Sequence, residues 1–135
     1  MKLTGHCYCG DLRYESNGDP MLKLQCHCRE CQYLSGGGPN FTFGMPEDGF
    51  SYTQGTPGQF TRTDIDNAVT REFCQRCGTQ ILSRVPVLPN VVLLKVGTLD
   101  DPDAFGAPEM AIFTVDKQAF HLVPEGIPTF ERAPG

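Results

Sequence analysis

The chain has no long apolar run. Its most apolar stretch, Val91-Val92-Leu93-Leu94, is interrupted by Lys95, far short of the roughly 20 residues that a membrane-spanning helix needs. No membrane partner is therefore expected. An apolar h-region is missing as well, since Lys2 leads directly into Thr4-Gly5-His6-Cys7. With no targeting segment visible, the expected compartment is the reducing cytoplasm, where disulfides are disfavoured. A dense basic run is also absent. Asp and Glu outnumber Lys and Arg by 16 to 11, for a formal net charge of −5, which argues against a nucleic-acid partner. Any anionic substrate would need positive charge placed locally. Internal repeats, linkers and low-complexity segments are absent too, so residues 1–135 read as one domain. The cysteines, finally, lack an even count. There are seven, which disfavours a pure disulfide framework.

What is present is a set of three tight cysteine clusters: Cys7-Tyr8-Cys9-Gly10, Cys26-His27-Cys28-Arg29-Glu30-Cys31 and Cys74-Gln75-Arg76-Cys77-Gly78. A closed tetrahedral zinc site takes four thiolates, so seven divides into four plus three. Three thiolates leave one coordination position open, as catalytic zinc sites do. In a Cys-x-x-Cys knuckle two sulfurs reach one ion while nearby backbone N–H groups bond to the thiolates and lower their pKa. Gly10 and Gly78 suit the positive-φ turn that frees those N–H groups. Two such pairs about 65 residues apart would tie the start of the chain to its middle.

Spacing alone leaves the pairing open. Cys28 and Cys31 with Cys74 and Cys77 would make a zinc-ribbon site, leaving Cys7, Cys9 and Cys26. Equally, Cys7 and Cys9 with Cys74 and Cys77 would leave the compact trio Cys26, Cys28 and Cys31. Iron competes with zinc, because four thiolates also suit a rubredoxin-type iron or an iron–sulfur cluster. Softness and spacing favour zinc.

Fifteen glycines and eleven prolines spread along the chain favour short strands and turns over long helices. Alternation predicts strands at 11–15 and 21–25, joined by the turn Asn17-Gly18-Asp19-Pro20 into a hairpin with Cys9 and Cys26 at its ends. Arg29 to Leu34 predicts a short helical turn, ended by Gly36-Gly37-Gly38-Pro39. Further strands are expected around 41–43, 50–53, 59–63 and 68–73; residues 79–85 lead away from the last cysteine pair, and 110–115 with a Pro-rich tail finish the chain. The strongest strand, 91–96, is apolar on both faces and so central. The fold class is all-β, with small helical turns only.

The pattern Gly5-His6-Cys7-Tyr8-Cys9-Gly10, Cys26-His27-Cys28-Arg29-Glu30-Cys31 and Phe73-Cys74-Gln75-Arg76-Cys77-Gly78 resembles the glutathione-dependent formaldehyde-activating enzyme (GFA) family, which includes the centromere-protein-V-like proteins. The resemblance continues through Gly97-Thr98-Leu99-Asp100-Asp101-Pro102 and Ile112-Phe113 to Ile127-Pro128-Thr129-Phe130. Phe120 stands where the family often has Trp. The resemblance implies antiparallel sheets built around zinc in an Mss4-like architecture. It also implies a structural zinc on Cys7, Cys9, Cys74 and Cys77, and a second zinc on Cys26, Cys28 and Cys31 with an exchangeable fourth position. The implied activity is that of a carbon–sulfur lyase of the S-(hydroxymethyl)glutathione synthase kind, with glutathione and formaldehyde as the implied pair.

Arg29, beside the trio, is a candidate contact for a carboxylate of the thiol, set against a plain solvated charge. His27, between two ligands, is read as facing solvent or supporting the site and not as a ligand. Tyr33 and Ser35 are candidates to line a pocket or to pack and cap. The rival function is a non-catalytic zinc-binding module of the centromere-protein-V-like kind, with both ions structural and the surface carrying the function. A lyase acting on another thiol adduct is a further reading.

Overall fold

The computed structural model describes residues 1–134; Gly135, the last residue of the predicted domain, lies outside the described residues. Ten strands, one helix and short 3-10 turns are found among the described residues. In chain order they are β1 (Lys2–His6), β2 (Arg13–Asn17), β3 (Leu22–Cys26), α1 (Arg29–Ser35), β4 (Asn40–Pro46), β5 (Phe50–Gln54), β6 (Gly58–Thr61), β7 (Thr70–Phe73), β8 (Gln80–Arg84), β9 (Val91–Lys95) and β10 (Met110–Ile112). This is the expected all-β class. Among the described residues no helix is long and apolar enough to cross a membrane.

The strands form two sheets, β1-β2-β5 and β10-β3-β4-β9-β8-β7-β6. Among the described residues, every strand pairing is antiparallel except the one between β10 and β3 at one edge. β9 is the fourth of seven strands, which explains its apolar sequence. Val92 and Leu94 are fully buried beside Phe43 and Met45 of β4, and the same core takes in Leu12 and Tyr14 next to and on β2. The opposite face of the large sheet is different. It carries the buried polar residues Thr42, Ser83 and Lys95.

The predicted hairpin of 11–15 with 21–25 does not form. β2 pairs with β1 and β5, whereas β3 pairs with β4 and β10, so the Asn17–Pro20 turn crosses between sheets. The pairing follows burial. Tyr14 is inserted into the core, where its hydroxyl and that of Thr98 are 2.8 Å apart. The hairpin that does form joins β1 to β2, and its turn is the Cys7–Gly10 knuckle.

The two sheets are also joined by a buried carboxylate. Glu72 of β7, 2 % exposed, accepts from Tyr52 Oη of β5 at 2.7 Å, Gln59 Nε2 at 3.0 Å and Arg84 Nε at 2.7 Å. Burial pushes its carboxyl up, but the Arg84 guanidinium and the Tyr52 and Gln59 donors outweigh burial and hold it below the usual carboxylate range. Glu72→Ala leaves Arg84 without its closest counter-charge. Removing one partner of a buried pair costs about 3–5 kcal/mol, and Arg84 is partly exposed, so a loss of about 3 kcal/mol is expected in urea denaturation. A loss under about 1 kcal/mol, the value of an exposed pair, would contradict this reading.

Candidate functional site

Two hairpin turns build the first cluster. The β1–β2 turn brings Cys7 and Cys9; the β7–β8 turn brings Cys74 and Cys77. The four sulfurs lie within 4.8 Å of one another, with Cys7 Sγ to Cys9 Sγ at 3.6 Å and Cys9 Sγ to Cys74 Sγ at 3.7 Å. A tetrahedron with metal–sulfur bonds of about 2.3 Å has edges of about 3.8 Å, so the donor set fits a tetrahedral ion. Backbone N–H groups are aimed at the sulfurs, Leu12 N donating to Cys7 at 3.2 Å and Cys77 N to Cys74 at 3.4 Å. Gly10 and Gly78 take φ of 85° and 80°, as the turns require. Because one turn belongs to each sheet, the cluster ties the small sheet to the large one.

The second cluster is local. Cys26 ends β3, Cys28 is the N-cap of α1, and Cys31 lies in the first turn of that helix. Their sulfurs also lie within 4.8 Å of one another, and among the described residues no fourth Cys, His, Asp or Glu joins them. The zinc-ribbon pairing is thus not formed. Cys28 Sγ accepts from Cys31 N at 3.3 Å, so the helix cap and the donor set are one feature. Within the trio, Cys31 is drawn down to about 2 by the thiols of Cys26 and Cys28, against the effect of burial and with smaller pulls from Lys95 and the Asn40 side chain. Cys26 is pushed the other way as the proton-holding partner. Thiols sharing negative charge at this spacing form a donor set for a soft divalent ion.

His27 is fully buried, which removes the solvent-facing reading, and both its ring nitrogens are used away from the sulfurs. Gln25 Nε2 donates to His27 Nε2 at 3.0 Å and to the Leu122 carbonyl at 2.7 Å. His27 Nδ1 is 2.9 Å from His121 Nδ1. His121 Nδ1 accepts from the Gln118 backbone N–H at 3.2 Å, and its Nε2 donates to the Gly37 carbonyl at 2.7 Å. This network assigns the Nδ1–H tautomer to His27 and the Nε2–H tautomer to His121. It pins the 118–122 segment across α1. His27→Ala is expected to leave metal content unchanged while lowering stability by about 2 kcal/mol, because Gln25 and His121 lose their partner. Metal analysis and urea denaturation check both parts, and loss of one ion would show ligation.

Arg29 is exposed; its Nη1 donates to Gln32 Oε1, and its guanidinium lies 5.0 Å from the Tyr33 ring centroid. Tyr33 is 79 % exposed and borders a shallow hollow of about 170 Å³ with Phe60, Arg62 and Arg71. Ser35 caps locally onto the Gly38 carbonyl. Lys95, at the end of β9, places a buried positive charge within electrostatic reach of the trio. Burial pulls its ammonium down, while Cys31, then Cys26 and Cys28, oppose that shift. Arg71, also buried, bonds Ser83 Oγ and Glu30 Oε1, each at 2.9 Å. Neither residue was a sequence candidate. The available signal for Lys95 was a lysine ending an otherwise apolar central strand.

A family model described as "Glutathione-dependent formaldehyde-activating enzyme" matches residues 2–116. The chain belongs to the GFA family. All seven cysteines fall inside the match, whereas the Ile127–Phe130 part of the resemblance lies beyond it. There the tail runs beside β10, with Ala111 N donating to the Pro128 carbonyl at 3.0 Å and Phe130 N to the Ala111 carbonyl at 2.9 Å. A crystal structure of a Rhodobacter sphaeroides protein is similar to this GFA chain, with a TM-score of 0.61 and 19% identity over 80% of this chain and 97% of that one. At that identity the likeness shows the fold, which is compatible with the Mss4-like architecture. No match is found among curated proteins.

Proposed function

We propose that the chain is a zinc-dependent carbon–sulfur lyase of the GFA type, forming or cleaving an S-hydroxymethyl adduct between an aldehyde such as formaldehyde and a thiol such as glutathione. The observation that carries this reading is the trio Cys26, Cys28 and Cys31, three converging sulfurs with no fourth protein ligand among the described residues. Cys7, Cys9, Cys74 and Cys77 would hold a structural zinc, and the trio a second. When bound, the second ion supplies a soft acceptor that keeps an incoming sulfur as thiolate near neutral pH.

The rest falls to the chain. The α1 cap holds Cys28 and Cys31 at one spacing, and the His27–His121 contact fixes the loop between Cys26 and Cys28. Exposed Arg29 would leave Gln32 to meet a carboxylate of the thiol. In the forward direction the thiol loses its proton to solvent and its sulfur adds to the carbonyl carbon. The carbonyl π pair moves to oxygen, which takes up a proton. In reverse the carbon–sulfur bond breaks and its pair returns to sulfur. The proposed setting is the cytoplasm, where such thiols remain reduced.

The test is an adduct-formation assay with formaldehyde and glutathione on zinc-loaded protein, alongside zinc exchange. Expected are a rate above the spontaneous reaction and two ions per chain, one exchanging readily and protected by glutathione. No rate above background would remove that substrate pair. Two inert ions would favour the non-catalytic module instead.

A further inference from the structure

Register places four side chains on one strip of the large sheet. Cys26 of β3 lies opposite Asn40 of β4, and Thr42, two residues along β4 and so on the same face, lies opposite Lys95 of β9. Lys95 and Thr42 are 8 % and 3 % exposed. Among the described residues, four buried side-chain polar atoms have no hydrogen-bond partner of normal geometry, and two of them, Thr42 Oγ1 and Asn40 Nδ2, whose amide faces the Cys31 sulfur, are on this strip. Lys95 Nζ pairs with no carboxylate among those residues, and the charge it faces is that of the trio's sulfurs. A buried donor left unpaired costs about 1–3 kcal/mol, and a buried charge more. Two such donors beside a lysine ammonium, next to the sulfurs, describe a place for an oxygen that carries negative charge.

We propose that Lys95, Thr42 and Asn40 bind the oxygen of the reacting carbon, so that the trio holds sulfur and the β4–β9 strip holds oxygen of the same ligand. This rests on the lyase reading and names the residues that stabilise its charged oxygen. As the carbon–sulfur bond forms, the carbonyl pair moves onto that oxygen. The three donors hold it while charged, and solvent then supplies its proton in place of the one the thiol released. In reverse the oxygen loses that proton to solvent, and the same donors hold it until the carbon–sulfur pair returns to sulfur. Preorganised donors act in this way because, in a site with little water, they need no reorganisation at the moment of reaction.

The test uses Lys95→Met and Thr42→Val in protein with cobalt in the second site, following thiolate-to-cobalt absorption as each ligand is added. Thioacetate carries an oxygen on the carbon bonded to sulfur; ethanethiol does not. Wild type is expected to bind thioacetate about 10-fold more tightly than Lys95→Met does, the value of one hydrogen bond to a charged group, with ethanethiol affinities agreeing within about 3-fold. Thr42→Val is expected to weaken thioacetate selectively by about 3- to 5-fold, as for a neutral hydrogen bond. In turnover, losing Lys95 is expected to lower kcat by about 100- to 1,000-fold, the effect of one oxyanion donor. Equal losses for both ligands, no loss for either, or failure of Lys95→Met to hold the second ion would overturn the inference. A selective thioacetate effect in protein that turns over no thiol–aldehyde pair would sustain the oxygen site and sink the lyase reading.

Discussion

Cys74→Ser is expected to leave the chain unfolded at room temperature. Zinc sites of four sulfurs contribute about 10–16 kcal/mol of apparent binding energy in small peptides, whereas the stability of a whole domain is about 5–15 kcal/mol. Here the site joins the β1–β2 turn of one sheet to the β7–β8 turn of the other. With the proposed zinc there, removing one sulfur would weaken both the ion's affinity and the attachment between sheets. Packing cannot account for a loss of that size. Cys74 is buried, but serine is nearly its shape, and the exchange alone costs on the order of 1–2 kcal/mol. Far-UV circular dichroism and urea denaturation in the presence of zinc check this. A cooperative transition near the wild-type midpoint would show that the four-cysteine cluster does not hold the fold.

Cys31→Ser has the opposite signature. The trio is confined to the end of β3 and the first turn of α1, so losing it detaches no sheet. The helix keeps its Cys28 cap, and the His27–His121 and Gln32–Asp116 bonds still hold α1 to the 113–122 segment. The fold is expected to survive with at most about 2 kcal/mol lost, a typical single-site effect. Bound zinc should fall from two ions per chain to one, and adduct formation to the spontaneous rate. Zinc analysis and the glutathione–formaldehyde assay measure the two. Full activity with one ion would place the chemistry elsewhere.

The contrast between the clusters was legible in the cysteine count, because four sulfurs close a tetrahedron and three do not. The short helix was legible too, as a turn over 29–34 ended by the glycines after Ser35, though its Cys28 cap was not, and so was the central position of Val91–Lys95. What escaped depended on distant partners. β1 reads poorly as a strand because Gly5 interrupts it, yet a side chain there would collide with the Tyr14 ring and the Thr98 carbonyl. The glycine serves a close approach that only the folded structure reveals. The false hairpin had good local alternation on both sides of a good turn, and the choice of partner lay in which sheet could bury Tyr14. β10 pairs in parallel with β3 across more than 80 residues, a contact without local pattern. Lys95 could be seen as an interruption, but its place across from Thr42 depends on register.

The central claim is that the trio is a metal site whose fourth position takes a thiol. The most direct measurement is the thiolate-to-cobalt absorption of protein with cobalt in the second site, titrated with glutathione. The absorption is predicted to intensify and saturate at one glutathione per chain, as a fourth sulfur joins the three of Cys26, Cys28 and Cys31. A spectrum unchanged at saturating glutathione would contradict the claim.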